Sequence, residues 1–269
     1  MKRVGIVGCG TIGSFFAKRI HTEFKGSAQI SGLFDIDKSK ANELLSELAA
    51  SANILELEEL IERSDVIIEA SSKGACASIC KQALSRGRDV IVMSIGGILG
   101  NEYLFDLAKE NNAKMILPSG AICGLDGLKS ASSGKIDSVT ITTRKPPKGL
   151  MGAPYIEKMG INLETIKDEQ IVFEGNALQA IEGFPKNVNV SAVLSLAGIG
   201  PEKTKVKIIT SPNFTSNTHE IEVVGEFGKL TARTENLPFP ENPKTSCLAA
   251  YAALASFKQY LNDSVRIGT

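Results

Sequence analysis

The feature that most constrains this chain is a glycine-rich turn that follows a short strand pattern close to the N-terminus. The run Val4 to Val7 is mostly apolar and β-branched, which is typical of a buried strand. It leads directly into Gly8, Gly10 and Gly13, which have the spacing GxGxxG, and a helical pattern then extends from Ser14 to Phe24. A strand, a glycine turn and a helix in this order allow the backbone to approach a phosphate group closely.

Each glycine of the turn has a separate physical task. Gly8 permits the tight turn, Gly10 lets the backbone approach a pyrophosphate, and Gly13 lets the helix pack on the strand. The start of the helix, at Thr11 and Ile12, offers backbone N–H groups to the anion. The sequence therefore predicts a dinucleotide-binding unit with these five residues at the phosphates.

Asp35 is the acidic residue that is expected to follow a glycine turn of this kind in a dinucleotide-binding unit. The apolar run Ile30 to Phe34 ends at Asp35, which follows Gly13 by 22 residues, close to the expected spacing of about 20. A carboxylate at this place accepts hydrogen bonds from the adenosine ribose and repels a 2′-phosphate, which favours NAD over NADP. Lys38 and Lys40 follow closely and offset part of that repulsion, so NADP stays open as an alternative cofactor.

Alternating strand and helix patterns continue as far as Pro118 and predict an α/β fold with a doubly wound parallel sheet. Further strands are expected at residues 66–70, 88–93 and 114–118, and helices at 38–50, 57–61, 74–85 and 101–111. Ligands of such a sheet bind at the carboxyl ends of its strands. Ser71 and Ser72 are therefore candidate cofactor contacts, with Ser94 and Gly96 as further neighbours, although loop chemistry alone also explains such residues.

From residue 119 the alternation stops, and a C-terminal α+β domain with an antiparallel or mixed sheet is expected. Its strands are predicted at residues 138–143, 170–173, 206–210, 218–224 and 228–233, and its helices at 177–181 and 187–198. The last two strands are joined as a hairpin, and Arg144, Lys145 and the prolines after them are expected to break the first strand. Pro238, Pro240 and Pro243 predict a linker before a helix from 245 to 261.

We therefore expect two domains. A dinucleotide-binding Rossmann domain spans residues 1–118, and a substrate-binding and catalytic domain spans 119–243. The C-terminal helix, at 244–262, is expected to pack back on the first domain.

The composition excludes several classes of function. Thirty basic and thirty acidic residues cancel, so no basic field exists to bind nucleic acid or an anionic membrane. No apolar run reaches the roughly 18 residues of a membrane span, and a cytoplasmic protein is expected. The five cysteines show no CxxC spacing and only two histidines are present, so neither a disulfide framework nor a metal site is predicted. Cys76 and Cys80, one helical turn apart, are expected to be buried thiols.

His21 and His219 are the two side chains suited to proton transfer near neutral pH. His21 lies among basic residues near the end of the first helix and is expected at the surface. His219 lies at the start of a predicted strand, where a structural and a catalytic role are both open. Lys186, Asn187 and Asn189 mark a helix N-terminus that suits either an ordinary N-cap or a carboxylate or amide ligand.

The later motifs of the chain resemble those of the L-aspartate dehydrogenase family. Besides the glycine turn, they are PSGAIxGLD at residues 118–126, TRKPP at 143–147, PKNVNV at 185–190, NxH at 217–219 and NPKTS at 242–246. The resemblance covers nearly the whole chain. It implies NAD(P)-dependent oxidation of L-aspartate to iminoaspartate, which hydrolyses to oxaloacetate and ammonia, as well as a role in de novo NAD synthesis and a homodimer.

The resemblance also implies roles for individual residues. His219 matches the active-site histidine of the family, and the cofactor contacts match Asn189 and the turn that contains Ala121 and Cys123. Family members often have alanine where this chain has Cys123. The two substrate carboxylates require cationic or N–H partners. The candidates are Arg144, Lys145, Lys186, Asn187 and Lys244.

Other interpretations stay open. A related two-domain reductase could act on another amino acid, although the chain lacks the paired histidines of dihydrodipicolinate reductases and the longer substrate domain of homoserine dehydrogenases. It also lacks the Glu-Lys-Pro motif of sugar oxidoreductases. A non-catalytic NAD-binding sensor would keep Gly8 to Asp35 but would need neither His219 nor the asparagine cluster. The sequence also leaves the direction of reaction open, since reductive amination of oxaloacetate uses the same site.

Overall fold

A computed structural model of the chain describes residues 1–48, 52–185, 189–239, 242–262, 264, 265, 267 and 268, with the backbone alone at 242–245. The chain divides into two compact units. The first unit comprises Met1–Pro118 and Ala253–Val265, and the second comprises Ser119–Ala252 and Arg266–Thr269. Among the described residues, no helix combines the length and the apolar character needed to cross a membrane.

The first unit alternates strands and helices. Its elements are β1 (Lys2–Val7), α1 (Thr11–Glu23), β2 (Ala28–Phe34), α2 (Lys38–Glu47), α3 (Leu57–Arg63), β3 (Val66–Glu69), α4 (Lys73–Leu84), β4 (Asp89–Val92), α5 (Tyr103–Glu110) and β5 (Met115–Ile116). The five strands form a parallel sheet in the order β2-β1-β3-β4-β5. The predicted doubly wound parallel sheet is confirmed, and the strand order reverses at β1, where such sheets bind ligands.

The core of the first unit is apolar on both faces of the sheet. The central strand residues Ile6, Ile67 and Ile91 are fully buried, as expected for a parallel sheet covered by helices. The final helix, α10 (Cys247–Leu261), extends this core, because the Phe257 ring lies 5.2 Å from the ring of Phe24. Residues 49 and 50, at the end of the second predicted helix, lie outside the described residues.

The second unit is built on a mixed sheet. Its elements are α6 (Leu125–Ala131), β6 (Ile136–Lys145), α7 (Pro154–Lys158), β7 (Gln170–Asn176), α8 (Ala177–Gly183), α9 (Asn189–Ala197), β8 (Lys205–Thr210), β9 (Asn217–Gly225), β10 (Gly228–Asn236), β11 (Pro238–Phe239) and β12 (Asn242–Ser246). The sheet order is β10-β9-β6-β8-β7, in which β6 and β8 are parallel and the other neighbours antiparallel. The predicted mixed sheet is confirmed, as is the hairpin between β9 and β10, which closes at the Gly225 and Gly228 pair.

Two local predictions are wrong. Arg144 and Lys145 do not break β6, because both continue its ladder with β8, and the strand ends only before Pro146. The proline-rich stretch is not a simple linker either, because β11 pairs antiparallel with β12. A two-stranded ladder has open edges, so it tolerates prolines that lack an N–H donor.

Candidate active site

The glycine turn of the first unit has the geometry of a phosphate cradle. Gly8 has a φ of 94°, and a Cβ there would lie 2.3 Å from the carbonyl oxygen of Ala70. A Cβ on Gly13 would lie 1.8 Å from the carbonyl oxygen of Gly8, so the chain itself requires both glycines. No atom lies within 4 Å of a Cβ built on Gly10. The absent side chain at Gly10 therefore leaves open space beside the backbone, where a pyrophosphate fits.

The N-terminus of α1 is suited to an anion. Gly10 is the N-cap residue and provides no side-chain cap, and the first turn, which contains Thr11 and Ile12, has no acidic residue. The positive end of the helix dipole therefore meets neither a capping side chain nor a carboxylate of its own turn. These residues fit the pyrophosphate of a nicotinamide dinucleotide.

Asp35 lies beside this turn at the end of β2. Its Oδ2 atom accepts a hydrogen bond of 2.7 Å from the backbone N–H of Cys9, and Oδ1 accepts one of 2.8 Å from that of Asp37. Two backbone donors thus fix the carboxylate next to the cradle. Burial, with a smaller contribution from the Asp35 charge, raises the pKa of the Cys9 thiol to about 12, so Cys9 is a neutral thiol at neutral pH.

Glu69 lies at the same edge of the parallel sheet, where the carboxyl ends of the strands meet, and the sequence did not predict it as a site residue. It is fully buried at the carboxyl end of β3. Its Oε1 atom accepts hydrogen bonds from the backbone N–H (2.9 Å) and the hydroxyl (2.6 Å) of Ser71, and Oε2 accepts one of 3.0 Å from the backbone N–H of Ser94. The carboxylate therefore joins the loops that follow β3 and β4. Ser72 is the N-cap residue of α4 and makes no side-chain cap bond.

We expect Glu69→Gln to weaken NADH binding about three- to thirtyfold. An amide nitrogen cannot accept a hydrogen bond, so at least one of the three donors loses its partner and the Ser71 loop shifts. NADH fluorescence titration measures the effect, with Glu43→Gln on the exposed surface of α2 as a matched control. Equal affinity in the two variants would contradict a positioning role for Glu69.

His219 lies on an interior strand of the sheet in the second unit. It lies on β9, where Thr143 of β6 and Thr234 of β10 are its neighbours in register. Its Nδ1 atom is 3.0 Å from the hydroxyl of Thr143, and its side chain is only 5% exposed. Burial, and secondarily the charge of Lys145, lowers the pKa of His219 to about 3. The imidazole is therefore neutral at neutral pH.

Lys145 shares the buried face of the sheet with His219. It follows Thr143 by two residues on β6, so strand alternation places both side chains on one face. Lys145 is 7% exposed, and burial lowers its pKa to about 8. The ammonium group therefore keeps its proton at neutral pH but is held in a poorly solvated place, which is characteristic of functional sites.

Lys145 lines a cavity of about 480 Å³, which is within the size range of ligand sites. Asn217, two residues before His219 on β9, lines it together with Lys145. The other described lining residues are Pro146, Lys148, Gly149, Met151, Gly152, Ala153, Pro154, Phe184, Pro185, Thr215, Ser216 and Pro238. Two lysines and no carboxylate occur among these described residues, so the cavity attracts anions.

The turn that contains Ala121 and Cys123 is fastened beside His219. The Thr234 hydroxyl donates a hydrogen bond of 2.9 Å to the carbonyl oxygen of Ala121, and the side-chain amide of Asn236 donates one of 3.0 Å to the same atom. Ala121 is buried, whereas Cys123 is exposed. Because Thr234 is the register neighbour of His219, the structure brings this predicted cofactor contact to the predicted catalytic histidine.

The other predicted cations are distributed differently. Arg144 projects to the opposite face of β6 from Lys145, where its guanidinium lies 3.8 Å from carboxylate oxygens of Glu169 and of Glu220. It is therefore not brought together with His219. Lys244 lies on β12, of which only the backbone is described at this residue.

The predicted helix N-terminus is only partly described. Lys186 and Asn187 lie outside the described residues, and Asn189 is the exposed first residue of α9. The next residue, Val190, borders a small internal cavity of about 10 Å³ together with Thr143 and Lys145. The start of α9 thus packs over the same face of the sheet as the buried lysine.

Sequence reasoning also missed Thr143, Lys148 and Asn217. Thr143 and Asn217 belong to the motifs TRKPP and NxH, whose meaning depends on strand parity, whereas Lys148 follows TRKPP on the turn after β6. In each motif, residues two apart lie on one face of a strand, so Thr143 pairs with Lys145 and Asn217 with His219. For Thr143 and Lys145 this signal was present, but the premature end assigned to β6 hid it.

A dinucleotide cradle in one unit, and in the other a neutral imidazole beside a buried cation, define a nicotinamide-dependent oxidoreductase. The described residues contain no group of three or more potential metal-ligating side chains.

Comparisons with known proteins identify the family. Residues 126–260 match the family model "Aspartate dehydrogenase, C-terminal", and residues 8–118 match "Homoserine dehydrogenase, NAD binding domain". L-aspartate dehydrogenases from Methanosarcina barkeri and Methanosarcina acetivorans are each 50% identical to the chain, and that from Nitrosopumilus maritimus is 39% identical. Each alignment covers 100% of both chains. The chain therefore belongs to the L-aspartate dehydrogenase family.

Solved structures show the same fold. The crystal structure of aspartate dehydrogenase from Thermotoga maritima superposes with a TM-score of 0.75 at 24% identity and covers 100% of both chains. Scyllo-inositol dehydrogenase from Lactobacillus casei, with bound NAD(H), gives a TM-score of 0.56 at 16% identity and covers 98% of this chain and 90% of its own. At these identities the likeness establishes the fold alone.

Proposed function

We propose that this protein is an NAD-dependent L-aspartate dehydrogenase that oxidises L-aspartate to iminoaspartate, which hydrolyses to oxaloacetate and ammonia. The observation that carries the proposal is the pairing of neutral His219 with charged Lys145, which lines a cavity whose described lining residues include no carboxylate. The names of the full-length relatives support the same substrate. A role in de novo NAD synthesis and a homodimer, both implied by the resemblance, are part of the proposal, as is the cytoplasmic location expected from the sequence.

The reaction transfers a hydride from the substrate α-carbon and a proton from its amino group. NAD, when bound, supplies the hydride acceptor. Water then adds to the carbon–nitrogen double bond, and the adduct collapses to the ketone and ammonia. The protein must therefore accept and return protons at the α-nitrogen and the attacking water, which a neutral imidazole does by general acid–base catalysis.

Thr143 and Lys145 prepare His219 for this task. The hydrogen bond between the Thr143 hydroxyl and Nδ1 fixes the imidazole plane and leaves Nε2 to face the substrate. In the free protein the charge of Lys145 contributes to the low pKa of His219. A substrate carboxylate against Lys145 offsets that charge and so removes the smaller of the two causes of the low pKa, while burial, the larger cause, remains.

We assign the α-carboxylate of the substrate to Lys145. This ammonium is the buried cation that acts on His219, so a carboxylate bound to it lies next to the reacting carbon. A poorly solvated ammonium forms a strong charge-assisted hydrogen bond. Arg144 is a weaker candidate because Glu169 and Glu220 lie close to it on the opposite face.

The test is the formation of NADH, followed by absorbance, with purified protein, NAD and L-aspartate at mildly alkaline pH. Alanine, glutamate, homoserine and D-aspartate serve as parallel substrates. Signal with L-aspartate alone supports the proposal. Turnover of a different amino acid would transfer the assignment to a related reductase, and NAD binding without any turnover would favour the sensor.

We expect Asp35→Ser to shift the cofactor preference towards NADP at least tenfold, measured as the ratio of Kd values for NADPH and NADH. The substitution removes the charge that repels a 2′-phosphate. The nearby lysines offset little of this repulsion, because Lys38 pairs with Glu56 at 3.4 Å and Lys40 with Asp37 at 3.8 Å. Glu56→Gln, which releases Lys38 but keeps Asp35, is the control and should retain the NAD preference. An unchanged ratio in the serine variant would contradict the assignment of Asp35.

A further inference from the structure

The cavity of the second unit carries positive charge at two depths. Lys145 is buried at the end of β6, and Lys148 lies three residues later, exposed on the turn Pro147–Gly149. Both side chains line the same cavity. A ligand that enters it therefore meets one exposed cation and one buried cation.

Lys148 is available to a ligand in a way that Arg144 is not. No ion pair formed by the described side chains involves Lys148, whereas the Arg144 guanidinium already has two carboxylates within 3.8 Å. Thr215, Ser216 and Asn217, which carry hydroxyl and amide groups, also line this cavity. The outer part of the cavity thus offers a cation and neutral hydrogen-bonding groups to an anion.

We infer that Lys148 is the residue that selects a dicarboxylic substrate, by binding the carboxylate remote from the reacting carbon while Lys145 binds the nearer one. The inference rests on the proposed function and deepens it. A monocarboxylic amino acid leaves Lys148 without a carboxylate partner, so it gains nothing from the second cation. A single lysine on an exposed turn then separates aspartate from neutral amino acids of similar size.

The test compares the binding of two inert anions to the full chain, which keeps it independent of turnover. Isothermal titration measures succinate, a dianion, and propionate, a monoanion, against the wild-type protein and the variants Lys148→Gln, Lys148→Arg and Lys158→Gln. Lys158 is an exposed lysine at the end of α7 that does not line the cavity. Wild-type protein should bind succinate at least tenfold more tightly than propionate.

Lys148→Gln should reduce this preference about tenfold by weakening succinate alone, Lys148→Arg should retain most of it, and Lys158→Gln should leave it unchanged. A preference that survives in Lys148→Gln, or that is absent from the wild-type protein, overturns the inference. Failure of the proposed function looks different, because the preference for succinate would persist and depend on Lys148 in a protein that oxidises no amino acid with NAD.

Discussion

His219→Gln is expected to reduce turnover of L-aspartate by about 10²–10⁴-fold while NADH affinity stays within about twofold. Glutamine is close to histidine in size and keeps a group that can bond to the Thr143 hydroxyl, so the buried site stays filled. What it lacks is a nitrogen that accepts and returns a proton. Steady-state kinetics together with NADH fluorescence titration separate the loss of chemistry from a loss of cofactor binding.

The chain offers a matched control in its only other histidine. His21 lies in the last turn of α1 in the first unit, outside the proposed site, so His21→Gln should keep full turnover. If His219→Gln were as active as His21→Gln, the role assigned to His219 would be wrong.

The burial of His219 should also affect the stability of the protein at acid pH. Its pKa is about 3 in the folded chain and near 6.5 when unfolded, so the unfolded state binds a proton first as the pH falls. Stability from this group is complete above pH 6.5 and is lost progressively towards pH 3. Chemical denaturation at several pH values should therefore show a shallower acid loss in His219→Gln than in the wild-type protein.

Most of the fold could be predicted from local pattern. The alternation of apolar strand patterns and amphipathic helix patterns predicted the parallel sheet of the first unit, and the turn at Gly225 and Gly228 predicted the hairpin between β9 and β10. The errors arose where tertiary pairing overrides local signals. Arg144 and Lys145 are weak strand formers, yet β8 supplies their ladder partners, and prolines persist in β11 and β12 because a two-stranded ladder has open edges.

The cofactor half of the site was predictable because its chemistry is local. Gly8, Gly10 and Gly13 act through backbone geometry within one turn, which sequence spacing records directly. The second half was predictable only in part. The surroundings of His219 are set by Thr143 and Lys145, which are more than 70 residues away in the chain; Thr143 is its register neighbour on β6, and Lys145 lies two residues further along that strand. Sequence alone proposed five cation or amide partners without a basis for choosing among them.

Glu69 is a second residue whose surroundings could not be predicted from the sequence, because its hydrogen-bond partners come from other parts of the chain. A carboxylate that ends the run Val66 to Ile68 must find donors if it is buried, but the sequence does not say which donors. They come from the loops after β3 and β4, including Ser94, 25 residues away. Burial and partners, rather than residue type, distinguish this glutamate from a solvent-exposed one.

Lys145→Met is expected to abolish activity and to stabilise the protein. Methionine fills nearly the same volume without a charge, so it removes the cost of holding an ammonium in a poorly solvated place. The lowered pKa of Lys145, about 8, measures that cost, and we expect a gain of about 1–3 kcal/mol in the free energy of unfolding at pH 7. Turnover should fall at least 10²-fold, because the α-carboxylate loses its charge-assisted partner.

The pH dependence of the stability gain in Lys145→Met distinguishes removal of the buried charge from a general improvement in packing. Between pH 8 and about 10.5 the unfolded wild-type chain binds more protons at Lys145 than the folded chain does, so wild-type stability from this group rises with pH. The advantage of Lys145→Met should therefore be largest below pH 8 and shrink towards zero above about pH 10.5. Urea denaturation at pH 7, 9 and 10.5, with Lys158→Met as the exposed control, measures it. A stability gain that stays constant with pH would indicate that packing alone is responsible. A methionine variant that is less stable than the wild-type protein would contradict the view that Lys145 is retained for substrate binding at the expense of stability.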